Sequence, residues 1–95
     1  MVRVLFVCLG NICRSPMAEF ILKDMVEKEG LASRFSIASA GTSAEEEGNP
    51  VYLPAREELR RHGISCDGKC AVQYTAADYA RYDYILAMED WHVRS

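Results

Sequence analysis

Residues 1–16 read MVRVLFVCLGNICRSP, and this stretch decides how the chain folds. Its first part, residues 2–7, is apolar apart from Arg3 and rich in β-branched side chains. This composition is typical of a strand that is buried on both faces. Ser15 and Pro16 end the stretch, and we expect Ser15 to cap a helix in which Pro16 is the first residue. The stretch therefore predicts a strand, a short loop and a helix.

The rest of the chain continues this alternation. Apolar residues recur at helical spacing after Pro16, namely Met17, Phe20, Ile21, Met25 and Val26, and Gly30 is a typical helix stop. We predict the later elements as a strand at 35–40, a loop at 42–53, a helix from 54 to about 62 ended by Gly63, a short helix begun by the capping pattern of Thr75 and Asp78, and a buried strand at 84–88. Strands that alternate with helices usually pair in parallel. The predicted fold is an α/β, three-layer, doubly wound parallel sheet, with residues 1–95 forming a single domain.

Composition excludes several classes of protein. The 95 residues carry a formal net charge of −3 and no cluster of Lys and Arg, which argues against nucleic acid as a partner. The apolar run at 2–7 is too short for a secretion signal, and no stretch is long and apolar enough to cross a membrane. We therefore expect a cytoplasmic protein with no membrane partner, in which the four cysteines are thiols.

The loop before the first helix has the pattern of an anion site. Cys8 and Arg14 are separated by five residues and lie between a strand and a helix N-terminus. Backbone N–H groups of such a loop point inward, the helix dipole adds positive potential, and Arg14 can hold two phosphate oxygens. The predicted phosphate-binding residues are Leu9, Gly10, Asn11, Ile12, Cys13 and Arg14.

The same loop places a nucleophile beside the predicted phosphate. A thiolate at Cys8 is stabilised by a helix N-terminus and by Arg14, and it can attack phosphorus in line. The Ser15 hydroxyl can hydrogen-bond this thiolate or assist it as a leaving group. The chain has no Gly-x-x-x-x-Gly-Lys pattern and no evident metal site, so a phosphomonoester suits the loop better than a nucleotide. The plainer alternative is that Cys8 is only a buried cysteine at the end of a strand.

The segment VCLGNICRSPMAE, residues 7–19, resembles the signature of the low-molecular-weight protein-tyrosine phosphatase family. Segments 39–42, 61–64 and 82–88 are similar to further family segments, in the same order. The resemblance implies a metal-free and cofactor-free enzyme that hydrolyses phosphotyrosine in proteins or small aryl phosphates through a phosphocysteine. It implies roles for individual residues: Cys8 as nucleophile, Arg14 and the amides of 9–14 as phosphate ligands, and Ser15, Asn11 and Ser39 as the supporting hydrogen-bond network.

Two departures from the family pattern bear on mechanism. The family's general acid lies in an Asp-Pro-aromatic segment near the C-terminus, and none of the three prolines in this chain follows an aspartate. We therefore expect a C-terminally truncated product or a fragment, lacking the last strand and helix of the family fold and impaired in catalysis. Glu89 and Asp90 are candidate replacement acids, although a helix cap is the plainer role for Asp90. Lys69 stands where many family members have histidine.

Other possibilities remain open. An arsenate reductase on the same fold would use extra cysteines, for which Cys66 and Cys70 are candidates, and a phosphate-binding module would need no general acid. The family pattern also implies that Cys13 can form a reversible disulfide with Cys8 under oxidation. Without a following strand, one edge of the strand at 84–88 would stay unpaired, so we expect a homodimer through this edge.

Overall fold

The computed structural model describes residues 1–88 of the 95. Within this part the elements follow in the order β1 (Val2–Cys8), α1 (Arg14–Lys28), β2 (Phe35–Gly41), α2 (Leu53–Arg61), α3 (Ala76–Arg81) and β3 (Tyr84–Ala87), with a 3₁₀ turn (Ala32–Arg34) before β2. Among these residues no helix is long and apolar enough to cross a membrane.

The three strands form one parallel sheet in the order β2-β1-β3. β1 lies in the middle, and its last residue, Cys8, pairs with Gly41 at the end of β2. Both connections between strands, from β1 to β2 and from β2 across β1 to β3, contain a helix, as the predicted α/β architecture requires. The order places the loop after β1 at the point where successive connections run to opposite sides, the usual ligand position in such sheets.

Alternate residues of β1 enter two different cores. Val4 and Phe6 pack with Ile37 of β2 and Val26 of α1 on one face of the sheet. The opposite face carries Leu5, Val7 and Ala40, against which Tyr74 and Tyr82 pack from either end of α3. Both faces are thus covered by different segments, which confirms the doubly wound prediction and explains why the run at 2–7 is almost continuously apolar.

A third core joins the two long helices. Leu59 and Ala55 of α2 are buried with Cys66, and Met17 and Phe20 of α1 pack against them. The spacing of the apolar residues in α1 therefore serves two clusters, one on the sheet and one on α2. Two members of the predicted apolar set, Ile21 and Met25, are instead exposed between these contacts.

The prediction for the start of α1 is wrong in detail. The helix begins at Arg14, its N-cap is Cys13, and no side chain caps it. Ser15 and Pro16 are therefore the second and third helical residues. The reason is that the Ser15 hydroxyl points back to the preceding loop, where it hydrogen-bonds instead of accepting from an amide of the first turn.

The strand after α3 is also less buried than predicted. β3 ends at Ala87, and Tyr84 and Leu86 are 60% and 47% exposed. β3 is an edge strand within the described residues, and apolar composition alone cannot distinguish an edge from a centre.

Other local predictions are confirmed. Thr75 and Asp78 form the predicted capping box at the start of α3. Gly30 and Gly63 take the left-handed conformation (φ +72° and +74°) just after α1 and α2, which is the usual glycine position at a helix C-terminus.

Candidate active site

The loop between β1 and α1 borders a cavity of about 310 Å³. Most of the predicted phosphate-binding residues and the predicted nucleophile line it together with part of the loop after β2; the lining is Cys8, Leu9, Gly10, Ile12, Cys13, Arg14, Ser43, Glu45 and Glu46. The backbone amides of Gly10 and Ile12 donate to no protein acceptor within residues 1–88. The lining therefore combines a sulfur atom, a guanidinium and backbone N–H groups that no protein acceptor occupies, which together suit an oxyanion.

The Cys8 sulfur is held by two hydrogen-bonding groups. Its Sγ lies 2.9 Å from the Oγ of Ser15, and the backbone N–H of Asn11 donates to it at 3.3 Å. A hydrogen bond donated to the sulfur of a cysteine favours the thiolate over the neutral thiol. The arrangement therefore suits a thiolate at Cys8, next to the first turn of α1 and to Arg14.

Asn11 fixes the shape of the loop through the hydrogen bonds of its buried side chain. It adopts a left-handed conformation (φ +57°) and is 1% exposed. Its Nδ2 donates to Ser15 Oγ at 2.8 Å, and its Oδ1 accepts from the backbone N–H of Val72 at 2.9 Å. Asparagine is among the few residues that tolerate this conformation while offering both a donor and an acceptor. One side chain thus connects the loop, the helix and the segment before α3.

The end of β2 braces the other side of the loop. Thr42 and Ser43 donate backbone hydrogen bonds to the carbonyls of Cys8 and Leu9, both at 2.9 Å. A Cβ atom at Gly41 would lie 3.0 Å from the backbone of Leu9 and of the next residue in the loop. A side chain at Gly41 would therefore press against the backbone of the loop, which would have to shift, whereas glycine allows the close approach.

Ser39 is buried below the loop, but it belongs to a separate hydrogen-bond group. Its Oγ donates to Glu19 Oε1 at 2.5 Å, and its carbonyl accepts from Lys69 Nζ at 3.0 Å. Glu19 is 4% exposed and also binds Lys23 Nζ at 2.6 Å, while Lys69 Nζ lies 3.4 Å from Glu19 Oε1. The predicted network is therefore two groups, one around Asn11 and Ser15 and one around Glu19.

Sequence reasoning missed Glu19. Glu19 lies one turn after Ser15 on the inner side of α1. An acidic residue within an apolar helix face is the sequence signal that could have identified it. Lys69, in the sequence only a departure from the family pattern, pairs its ammonium with this buried carboxylate. Glu45 and Glu46, in the loop after β2, line the cavity.

The remaining cysteines do not form a second centre. Cys66 is buried and Cys70 is exposed, and none of the four cysteines forms a disulfide. Burial raises the pKa of the Cys66 thiol, which opposes a role as a nucleophile. Within residues 1–88 no group of three His, Cys, Asp or Glu side chains could hold a metal ion. Glu89 and Asp90, the candidate acids, lie outside the described residues.

Comparison with known proteins decides the family. The family model described as low molecular weight phosphotyrosine protein phosphatase matches residues 3–95. The chain belongs to this family. Its sequence is 48% identical over 95 residues to the low molecular weight protein-tyrosine-phosphatase YfkJ of Bacillus subtilis, and 43% identical over 91 residues to the human low molecular weight phosphotyrosine protein phosphatase. The match does not favour the alternative of an arsenate reductase.

The structural comparison agrees with this family. The crystal structure of YfkJ superposes with a TM-score of 0.92 and covers 99% of this chain, and that of the Streptococcus pyogenes phosphatase SP-PTP gives 0.87 at 42% identity and the same coverage. The chain covers 61% and 57% of the Bacillus subtilis and human proteins and 59% and 61% of the two crystallised chains. It thus spans about three fifths of the length of these phosphatases.

Proposed function

We propose that this protein is a protein-tyrosine phosphatase that hydrolyses phosphotyrosine or aryl phosphomonoesters through a phosphocysteine. The observation that carries the proposal is the position of the Cys8 sulfur, hydrogen-bonded by Ser15 and by the Asn11 amide in the cavity that Arg14 lines. Family membership and the names of the relatives support the same reaction.

In the first step the Cys8 thiolate attacks phosphorus and the P–O ester bond breaks, so that the electron pair leaves with the phenolate oxygen. The Arg14 guanidinium and the amides of 9–14 bind the three non-bridging oxygens, whose charge changes during transfer. In the second step water attacks phosphorus, the P–S bond breaks, and the thiolate re-forms with a hydrogen bond from Ser15. Phosphate and a phenol are the products, and a proton donor for the phenolate completes the first step.

Labelling of the thiols tests the nucleophile and the cradle together. We expect iodoacetamide to modify Cys8 before the other three cysteines at neutral pH, and phosphate or vanadate to slow that reaction because the anion fills the cavity. The sites of modification are read by peptide mass spectrometry. Equal labelling of all four cysteines, with no effect of phosphate, would contradict the proposed site.

Leaving-group dependence tests the reaction itself. None of the 95 residues forms an Asp-Pro-aromatic segment, so we expect turnover by this chain to favour p-nitrophenyl phosphate over phosphotyrosine. A phenolate of low basicity needs little protonation, whereas a general acid is worth about 10²–10⁴-fold for a poor leaving group. Equal turnover of both esters would show that another group supplies the proton. Anion binding without any turnover would favour the phosphate-binding module.

A phosphoarginine substrate belongs in the same assay. One similar structure, with a TM-score of 0.86 and 36% identity, is described as a drosophila arginine phosphatase. Two carboxylates, Glu45 and Glu46, line the cavity here, and an acidic rim is compatible with the guanidinium part of such a substrate. Faster hydrolysis of phosphoarginine than of phosphotyrosine would show that phosphoarginine, not an aryl ester, is the preferred class of substrate.

We also propose a homodimer through the outer edge of β3 and a cytoplasmic location for a single domain over 1–95. Within residues 1–88 β3 pairs with β1 alone, and exposed apolar side chains such as Tyr84 and Leu86 lie on it. An unpaired edge of this kind recruits a second strand. Sedimentation velocity at micromolar concentration tests the dimer, and a clean monomer would refute it. Four cysteines that form no disulfide are typical of a reducing compartment, which localisation of a tagged protein would test.

A further inference from the structure

A second cavity, of about 320 Å³, lies beside α2 and shares no lining residue with the cavity at Cys8. It is formed by one side of the helix and by the turn that follows it; the lining is Arg56, Arg60, Gly63, Ile64, Ser65, Cys66 and Asp67. Its volume is sufficient for a small polyatomic anion with part of its hydration shell. The function of the first cavity does not involve these residues.

Two guanidinium groups that line this cavity have no ion-pair partner within residues 1–88. Arg56 and Arg60 are four residues apart in α2 and so lie on the same side of the helix, where two like charges repel. Neither forms an ion pair within residues 1–88, whereas the neighbouring Arg61 is paired with Glu58 on another side of α2. One carboxylate, Asp67, lines the cavity against two cations, so its walls carry a net positive charge.

The side chain of Arg56 also has an unused donor. Its Nε is buried and has no hydrogen-bond partner, the only such side-chain nitrogen or oxygen in residues 1–88. A buried donor without an acceptor is costly, and native proteins rarely tolerate one that nothing ever binds. A small movement of this side chain toward the cavity would give the donor an acceptor supplied by a bound anion.

Helix electrostatics do not account for this arrangement. Basic residues in the last turn of a helix interact favourably with its dipole, and this explains Arg60 and Arg61. Arg56 lies in the first half of α2, where the dipole disfavours a cation and favours an anion. The position of Arg56 therefore has another cause.

We propose that this cavity is a second oxyanion site, which binds phosphate or the phosphoryl group of a phosphomonoester between Arg56 and Arg60. Two planar guanidinium groups match the oxygen spacing of a phosphoryl group and give paired, charge-assisted hydrogen bonds. The hydroxyl of Ser65, which also lines the cavity, adds a further donor. The site requires no chemistry at Cys8, so it is independent of the proposed phosphatase activity.

Arginine side-chain NMR resonances test the proposal with inorganic phosphate as the probe. On titration of the ¹⁵N-labelled chain, the Nε–Hε signals of Arg56 and Arg60 are expected to shift together and to saturate. Backbone amides of Gly10 and Ile12 report phosphate in the Cys8 cavity during the same titration, so the two sites are distinguished. Saturation at the loop amides with no shift at Arg56 and Arg60 would overturn the second site alone.

Three substitutions sharpen the test. Arg60→Gln is expected to weaken phosphate binding at this site at least about tenfold, because a charge-assisted hydrogen bond is lost. Asp67→Asn is expected to tighten it severalfold by removing the opposing charge. Arg61→Gln, the matched control, should leave the affinity unchanged. An Asp67→Asn variant that binds phosphate no better, or an Arg61→Gln variant as weak as Arg60→Gln, would contradict the proposal.

Salt and carboxylate controls define the class of ligand. Sodium chloride at the ionic strength of the phosphate titration should give at most a small, unsaturated shift, since screening has no defined site. Acetate should bind more weakly than phosphate, and O-phosphoserine should bind as phosphate does. Equal responses to chloride and phosphate, or to acetate and phosphate, would overturn a phosphoryl-specific site.

Discussion

The hydroxyl oxygen of Ser15 lies 2.9 Å from the sulfur of Cys8, and Ser15 has no solvent exposure. Cys8 ends the central strand β1 and Ser15 belongs to the first turn of α1, so this contact connects the nucleophile directly to the helix. Asn11 donates to the same hydroxyl at 2.8 Å, which leaves the Ser15 proton free to point at sulfur. The geometry explains why a serine that is a typical helix cap does not cap this helix.

Ser15→Ala should slow the reaction of Cys8 with iodoacetamide severalfold at neutral pH. The variant removes the hydrogen bond that stabilises the thiolate, and it leaves the side-chain Nδ2 of Asn11 without its acceptor. The second effect should also cost about 1–3 kcal/mol in the free energy of unfolding. Ser65→Ala, which removes a hydroxyl from the lining of the other cavity, is the control. A Ser15→Ala variant with an unchanged alkylation rate would show that the hydroxyl does not act on the thiolate.

A pair of substitutions at Asn11 separates conformation from hydrogen bonding. Asn11→Ala loses two buried side-chain hydrogen bonds and places an alanine at φ +57°. Asn11→Gly loses the same hydrogen bonds but tolerates the conformation, so it should be about 1 kcal/mol more stable than the alanine variant. Urea unfolding measures both. If the two variants are equally stable, the left-handed conformation carries no strain.

Those residues also show what a sequence can reveal about this site. The loop could be predicted because its signals are local: an apolar strand, Gly10 and Asn11, and an arginine at the start of a helix. The lining of the cavity by Cys8 and Arg14 follows from these signals. Local patterns could not predict that Asn11 reaches the backbone of a residue 61 positions later.

The parts that sequence reasoning missed depend on long-range contacts. Glu19 is buried because Ser39 and Lys69, 20 and 50 residues away in sequence, meet it below the loop. The exposure of β3 depends on which strand is central, and apolar composition does not determine strand order. Burial of charge and position within a sheet are properties of the assembled fold.

A double-mutant cycle should detect the pairing of Glu19 with Lys69. Lys69→Met alone leaves a buried carboxylate with one partner fewer, and Glu19→Gln alone leaves a nearly buried ammonium without its counter-charge. Because both losses concern the same pair, the double variant should be more stable than the sum of the two single effects, by roughly 1–3 kcal/mol. Lys28→Met, at an exposed pair with Asp24, is the control and should cost little. Strict additivity would mean that the two groups are not coupled.

Cys66 predicts a specific alkaline loss of stability. Burial first, and Asp67 to a smaller extent, raise the pKa of the Cys66 thiol, while Arg56 and Arg60 partly oppose the shift. The folded state therefore holds the thiol proton at a pH where the unfolded chain has released it. This contribution is complete below the ordinary thiol pKa and is lost as pH rises toward the raised value.

The measurement compares urea unfolding of the parent chain and of Cys66→Ala at neutral pH and above the ordinary thiol pKa. The stability advantage of the parent over Cys66→Ala should shrink at the higher pH. Val26→Ala, which truncates a buried apolar side chain and changes no titratable group, should show a stability difference that does not depend on pH. A Cys66→Ala difference that grows with pH would mean that the thiolate, not the thiol, is preferred in the folded state.

Gly41→Ala should damage anion binding at Cys8 although Gly41 does not line the cavity. The new Cβ would lie 3.0 Å from the backbone of Leu9 and Gly10, which must move because neither is the end of a flexible side chain. Gly10→Ala would be milder, since its Cβ meets the movable Glu46 side chain at 3.2 Å. We expect Gly41→Ala to lose most of the protection of Cys8 by phosphate against iodoacetamide, while Gly10→Ala keeps more of it. Full protection in Gly41→Ala would show that the loop holds its binding geometry without the brace from β2.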